Sequence, residues 1–132
     1  MSREKIYRSV FWIGYIIVFV GAFVPIKKDL HNVNFNIVTF NFHLDQILHA
    51  AVYFLICMFF LIGQYLGLAL FNRNAFQKFL LAVFFLASLT EVLQLSIPTR
   101  AFNLYDWIAN IIGLVFGVIL VRIMWTKEKA KM

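Results

Sequence analysis

The chain has little charge and almost no cysteine, and each shortage excludes a class of protein. Only 14% of its 132 residues are charged, whereas 63% are hydrophobic and the mean hydropathy is +0.85. A soluble domain of this size could not bury so much apolar surface. The single cysteine, Cys57, excludes a disulfide within the chain. The sequence also contains no glycine-rich phosphate-binding loop and no internal repeat. The composition is therefore that of a membrane protein.

The hydrophobic residues fall into four blocks. The predicted spans cover residues 9–25, 47–71, 79–97 and 104–125. Each is near the roughly 20 residues that a helix needs to cross the hydrocarbon core of a bilayer. Arg3, Lys5 and Arg8 precede the first block as in a signal peptide, but no cleavage site of the Ala-x-Ala type follows, which favours an uncleaved span. We expect an all-α, polytopic four-helix bundle that forms one membrane domain over residues 1–132.

The distribution of basic residues predicts the orientation of this bundle. With four spans, both termini and the second loop lie on one side of the membrane, and they carry all the Lys and Arg residues except Lys27, Lys28 and Arg100. Because basic loops stay in the cytoplasm, we expect cytoplasmic termini, with the first and third loops outside. The net charge of +6 would then attract anionic lipid rather than nucleic acid.

Polar residues at the outer ends of three spans form pairs that share a helix face. The pairs are Asp45 with His49, Glu91 with Gln94, and Asp106 with Asn110. Spacings of three or four residues place both members of a pair on one side of a helix, and Tyr53 continues the first of these faces. Because a charge exposed to lipid is costly, we expect the three faces to meet in one outward-opening pocket near Arg100.

Small residues predict where the helices pack closely. Two ladders of small residues occur, one at Ala109, Gly113 and Gly117 and one at Gly63 and Gly67. Such ladders let helix backbones approach each other. The first helix has no ionisable residue after Arg8, and we interpret it as scaffold.

The first outer loop, residues 29–44, alternates polar and apolar residues. Alternation favours an extended hairpin or a segment that lies in the membrane interface. We expect this loop to cover the pocket. Its two histidines, His31 and His43, are interpreted as solvated or interfacial residues rather than ligands.

The combined spacing resembles the VanZ-like family of small bacterial membrane proteins. The residues that carry the resemblance are Asp45, His49, Tyr53, Glu91, Gln94, Pro98, Arg100, Asp106, Asn110, Gly113 and Gly117. They cover the second, third and fourth spans and the third loop. The chain departs from the family pattern at Gln46, where the family often has a basic residue, and at Asn103, where it has a Ser. The resemblance implies the fold, the site residues and a link to glycopeptide resistance, mainly to teicoplanin, but no reaction.

Two functions of different classes fit these residues. In the first, the pocket binds or acts on a lipid-linked or cell-envelope ligand. His49 would then be a general base or metal ligand, the carboxylates of Glu91 and Asp106 would transfer protons or bind metal, and Arg100 would anchor a phosphate or carboxylate. In the second, the polar residues only hold the helices together. Contacts of that kind contribute on average about 0.6 kcal/mol, which is a weak reason to bury so much charge.

The sequence does not identify a cofactor. One His and three carboxylates could hold a divalent cation, but no metal signature of the His-Glu-x-x-His type is present. The sequence therefore favours a salt bridge from Glu91 or Asp106 to Arg100 over a metal. A proton-coupled transporter is a third possibility, but the inner halves of the helices have few polar residues besides Gln64 to continue a proton path.

Overall fold

A computed structural model describes residues 2–23, 34–37, 40–96 and 103–129 of the chain. The elements in chain order are α1 (Arg3–Gly21), β1 (Asn34–Ile37), β2 (Phe40–His43), α2 (Leu44–Tyr65), α3 (Ala75–Gln94) and α4 (Leu104–Lys129). The predicted helical bundle is confirmed. The two strands form one small antiparallel hairpin, in which Asn34 pairs with His43 and Ile37 pairs with Phe40. An extended hairpin was one of the two structures that the alternating loop predicts; its covering of the pocket stays a prediction.

Three of the described helices are long and apolar enough to cross a membrane. They are α2, α3 and the Leu104–Met124 part of α4, with mean hydropathies of 2.1, 1.7 and 2.2. Large apolar side chains such as Leu81 and Phe116 point outward from these helices, where lipid would surround them. The first helix is not among the three, because charged residues occupy its first two turns. A fourth crossing therefore stays a prediction.

The second helix is shorter than the predicted span, which extended to residue 71. It ends at Tyr65, and Gly67 follows in the left-handed conformation with φ of 67°. The amide of Leu68 donates to the carbonyl of Gly63 at 2.8 Å, and the amide of Gly67 donates to the carbonyl of Gln64 at 3.1 Å. This is a Schellman motif, which ends a helix at a glycine. The assignment of Gly67 to a packing ladder is therefore wrong.

The ladder on α4 is confirmed as a close-packing surface. A Cβ atom built at Gly113 would overlap the backbone carbonyl of Ala50, and one built at Gly117 would overlap the side chain of Cys57. Only glycine permits this approach of α4 to α2. The buried thiol of Cys57 lies 3.8 Å from the carbonyl oxygen of Leu114, within the same contact.

Aromatic side chains hold α1 and α3 against α2. The rings of Phe60 and Phe79 stack with their centroids 4.1 Å apart, and Phe11 of α1 lies 6.1 Å from Phe79. Offset and tilted aromatic pairs add to the stabilisation from buried area. The hydroxyl of Tyr15 also donates to the carbonyl of Ala82 at 2.9 Å. Each of the three helices thus contributes to one apolar core, which lies deeper in the bundle than the polar residues described next.

Candidate functional site

Polar side chains from three helices meet where α2 and α4 begin and α3 ends. We call this group the polar cluster; its members are Asp45, His49, Glu91, Asp106 and Asn110. Consecutive helices of the bundle run in opposite directions, so the first turns of α2 and α4 lie beside the last turn of α3. The pairs spaced by four residues on α2 and α4 face each other there.

Asn110 is the central hydrogen-bonding residue of the polar cluster. Its side-chain amide donates to Oε1 of Glu91 at 3.1 Å, and its Oδ1 lies 3.0 Å from Nδ1 of His49. Both Asn110 and Glu91 are fully buried. Because a carboxylate can only accept, the NH₂ group of Asn110 must face Glu91 and its carbonyl must face His49. The proton of the imidazole therefore lies on Nδ1, which donates to Asn110.

The other nitrogen of the imidazole faces two aspartates. Nε2 of His49 lies 3.7 Å from Oδ1 of Asp45 and 4.0 Å from Oδ2 of Asp106. These distances exceed the usual range of a hydrogen bond, about 2.7–3.2 Å. One possible ligand atom from each of these three residues lies within 4.8 Å of those of the other two.

Both aspartates of the polar cluster lie at the amino terminus of a helix. Asp45 lies in the first turn of α2 and Asp106 in the first turn of α4. The amino terminus of a helix carries a partial positive charge that stabilises a nearby anion by about 0.3–1 kcal/mol. Two such termini meet at the polar cluster and offset part of the repulsion between its carboxylates.

The lack of a side chain at Gly113 allows α2 and α4 to come close together at this end of the bundle. Gly113 is one helical turn after Asn110, and its partner Ala50 directly follows His49. A side chain at Gly113 would push the two backbones apart. The hydrogen bond between His49 and Asn110 therefore depends on this glycine, which explains why a small residue accompanies the polar pair.

Two predicted site residues, Gln94 and Tyr53, form hydrogen bonds to residues outside the polar cluster. Gln94 is buried, but its amide donates to the carbonyl of Ala22, just beyond α1, at 3.5 Å. Tyr53 lies deeper, with its hydroxyl 3.4 Å from the hydroxyl of Thr90. Arg100 lies outside the described residues, so its predicted salt bridge stays a prediction.

Sequence reasoning missed two polar residues of α3. Thr90 is buried and bonds to the carbonyl of Leu86 at 2.9 Å as well as to Tyr53. Its spacing of four residues from Gln94 was the signal that could have found it. Ser88 accepts a hydrogen bond from the indole of Trp107 at 3.3 Å, which ties α3 to α4.

An apolar groove of about 260 Å³ runs beside the polar cluster, between α2 and α4. Its lining includes Gln46 and Tyr105, the sequence neighbours of Asp45 and Asp106, followed by Ile47, Ala50, Ile108, Ala109 and Ile112. The groove therefore starts level with the polar residues and continues along the apolar surfaces of both helices.

These features define a helical membrane protein with a buried polar cluster at one end of its bundle. The sequence model of the VanZ/LLP1 family matches residues 7–125, which is most of the chain. The chain therefore belongs to the VanZ/LLP1 family, and the resemblance noted from the spacing is confirmed. No curated protein and no solved structure gives a significant match.

Proposed function

We propose that the polar cluster is a binding site for a lipid-linked or cell-envelope ligand at the outer leaflet of the bacterial cytoplasmic membrane. The observation that carries this proposal is the convergence of three carboxyl groups on one imidazole. Glu91 is fully buried, and the side chains of Asp45 and His49 are only 19% and 20% exposed. Ionisable groups in membrane helices usually face a working site.

Energetics argue against a purely structural role. The cost of inserting an aspartate reaches about 2.5–3.5 kcal/mol at the centre of a membrane helix and is lower near a helix end, whereas a polar contact between such helices returns on average about 0.6 kcal/mol. Amide side chains could make hydrogen bonds like that of Asn110 to Glu91 without bringing a charge. A role in holding the helices together remains the alternative function, and the experiment below separates the two.

The side chains suit an anionic or amphipathic ligand. Nε2 of His49 is available as a general base or ligand atom, since Asn110 holds the other nitrogen. Arg100, by its position in the sequence, would anchor a phosphate or carboxylate. The apolar groove beside Gln46 and Tyr105 suits the hydrocarbon chain of such a ligand. The link of the family to glycopeptide resistance supports a ligand from the cell envelope.

The distribution of basic residues supports the side of the membrane that this proposal gives to the polar cluster. Because the termini and the second loop carry most of the basic residues, the end that holds the polar cluster would face outward. A cell-envelope precursor is accessible from that side.

The proposal is tested by the lipids that co-purify with the protein. We expect native mass spectrometry of the wild type in mild detergent to detect a bound lipid-linked species, and Glu91→Gln to lose it while the protein stays folded and abundant. Glu4→Gln is the matched control, because Glu4 is a carboxylate of the first helix that lies outside the polar cluster. Retention of the ligand by Glu91→Gln and by Asp106→Asn would contradict the proposal.

A structural role predicts a different result. If Glu91 and Asp106 only balance a buried cation, their neutral variants should lose stability, since removal of one partner of a buried ion pair costs about 3–5 kcal/mol. The thermal midpoint and the amount of protein in the membrane measure this. Loss of stability without any bound species in the wild type would favour the structural role.

A further inference from the structure

We infer that Asp45, His49 and Asp106 bind a divalent transition-metal ion, with Zn²⁺ preferred. The inference deepens the proposed function and rests on it, because it assigns a cofactor to the same polar cluster. The spacing of the residues alone favours a salt bridge instead. The positions of the individual ligand atoms lead to a different conclusion.

Nε2 of His49 lies close enough to an oxygen of each aspartate for the three residues to share an ion. Nε2 of His49 lies 3.7 Å from Oδ1 of Asp45 and 4.0 Å from Oδ2 of Asp106. Zinc binds nitrogen and oxygen at about 2.1 Å, so two ligands of a tetrahedral ion lie about 3.4 Å apart. Both separations are above the range of a direct hydrogen bond, and small rotations of the two carboxylates would bring them to the tetrahedral spacing.

The hydrogen bond from His49 to Asn110 directs a lone pair into the same space. Since Nδ1 donates to Asn110, the neutral imidazole has its lone pair on Nε2. Ionised Asp45 and Asp106 can only accept. An oxygen of each aspartate and this nitrogen therefore lie around one space in which a cation would have three ligands.

A second observation concerns Asp45 itself. Its Oδ1 is buried and has no hydrogen-bond partner among the residues that the structure describes. A buried acceptor without a donor is rare in folded proteins and destabilises them. Coordination to a metal would satisfy this oxygen.

The surroundings of His49 match those of a metal-binding histidine. Such residues almost always donate their second ring nitrogen to a carbonyl or carboxylate, which holds the ring in place and makes it a better ligand. Here Nδ1 donates to Asn110, and Asn110 in turn donates to the buried Glu91. Asn110 and Glu91 are therefore positioning residues in this inference.

The donor set indicates the kind of metal. One imidazole and two carboxylates suit Zn²⁺ or Mn²⁺, whereas Mg²⁺ prefers six oxygen ligands in octahedral geometry. Three protein ligands leave one position on zinc for water or a substrate oxygen. When bound, the ion would polarise a carbonyl or phosphoryl oxygen of the ligand.

Calorimetric titration of the purified protein tests this inference. The protein is prepared in detergent without a polyhistidine tag, stripped with a chelator and titrated at neutral pH with ZnCl₂, MnCl₂ or MgCl₂. We expect one Zn²⁺ per chain, bound more tightly than Mg²⁺. Asp45→Asn, Asp106→Asn and His49→Gln should each weaken Zn²⁺ binding by at least about 100-fold, and Asn110→Leu by about 10- to 100-fold, as outer-shell partners do. Glu4→Gln should bind as the wild type does.

Elution volume and helical circular dichroism identify variants that are folded, and the thermal midpoint gives a second readout. ZnCl₂ should raise the midpoint of the wild type and of Glu4→Gln but not that of Asp45→Asn, because only a folded site gains stability from its ligand. Absence of Zn²⁺ binding by the wild type, or unchanged binding in all three ligand variants, would overturn the metal site. The proposed function would survive that result if Glu91→Gln still lost its co-purified ligand.

Discussion

The two ends of the bundle use charged residues in different ways. We call the end where α2 and α4 begin the site end, and the end that carries the connection from α2 to α3 the loop end. At the loop end, Arg8 donates from Nε to the carbonyl of Ala69 and from Nη2 to the side chain of Asn72, both at 2.8 Å. Glu4 accepts from the amide of Ala69 at 3.2 Å. Donors and acceptors are matched there, and the side chains of Arg8 and Glu4 are 36% and 45% exposed.

The site end differs because its ionisable side chains are mostly buried and come from three helices. Three carboxyl groups and one imidazole lie together, and Asn110 supplies the amide that connects two of them. The comparison teaches that charge at a helix end is not by itself a sign of function. Exposed charges with hydrogen-bond partners connect a loop to a helix, whereas buried ionisable groups from several helices are typical of a functional site.

The contacts of α1 add detail to its interpretation as scaffold. Arg8 and Glu4 connect the start of α1 to the segment that follows α2. The hydroxyl of Tyr7 donates to the carbonyl of Phe60 at 3.4 Å. The first helix therefore orders the loop end as well as covering the apolar core.

Reporter fusions test which end faces outward, and their result is all or none. Alkaline phosphatase, which is active only outside the cytoplasm, and a fluorescent protein, which fluoresces only inside it, are the two reporters. At the carboxyl terminus only the fluorescent protein should give a signal, and near Asn36 only alkaline phosphatase should, because the basic residues favour this orientation. The reverse pattern would place the polar cluster on the cytoplasmic side.

Gly113→Leu should have the largest effect on stability. Its side chain would overlap the backbone of Ala50, separate α2 from α4 and remove the contact of His49 with Asn110. Overpacking costs about 1–3 kcal/mol and more where backbone must move. Gly14→Leu is the control, since a Cβ atom there meets nothing within 4 Å. Thermal unfolding in detergent measures both, and equal midpoints would contradict the packing argument.

Arg8→Met should destabilise the loop end and leave the site end intact. The variant loses two hydrogen bonds from a charged group, each of which contributes about 1.5–3 kcal/mol where it is shielded from water and less at this partly exposed position. Limited proteolysis between residues 66 and 74 should become faster, while ligand and Zn²⁺ binding stay unchanged. Lys5→Met, which removes an exposed charge of the same helix, is the control. Weaker ligand binding by Arg8→Met alone would show that the two ends are coupled.

The smallest effect is expected for the hydrogen bond between Tyr53 and Thr90. Tyr53→Phe and Thr90→Val should each lower the free energy of unfolding by about 0.6 kcal/mol, the average for polar contacts between membrane helices. The double variant should cost less than the sum, because both changes remove the same bond. Strict additivity would mean that the two hydroxyls do not interact. A much larger loss would make this pair part of the site rather than its support.

Much of the fold and part of the candidate site followed from periodicity. Block lengths predicted the helices, and spacings of three and four residues predicted which polar side chains share a face. The structure brings Asp45, His49, Glu91 and Asp106 together as that spacing predicts. Their role in binding stays a prediction. Periodicity is local, so the sequence was sufficient to assign these faces.

The tertiary structure decided which polar atoms meet. Gln94 shares a face with Glu91, yet it bonds to the carbonyl of Ala22, which periodicity does not locate. Gly67 has the spacing of a packing residue, but it ends its helix. The tautomer of His49 depends on Asn110 and Glu91 from two other helices. Helical spacing specifies directions around one axis, whereas these contacts depend on the depth and rotation of neighbouring helices, which close packing sets.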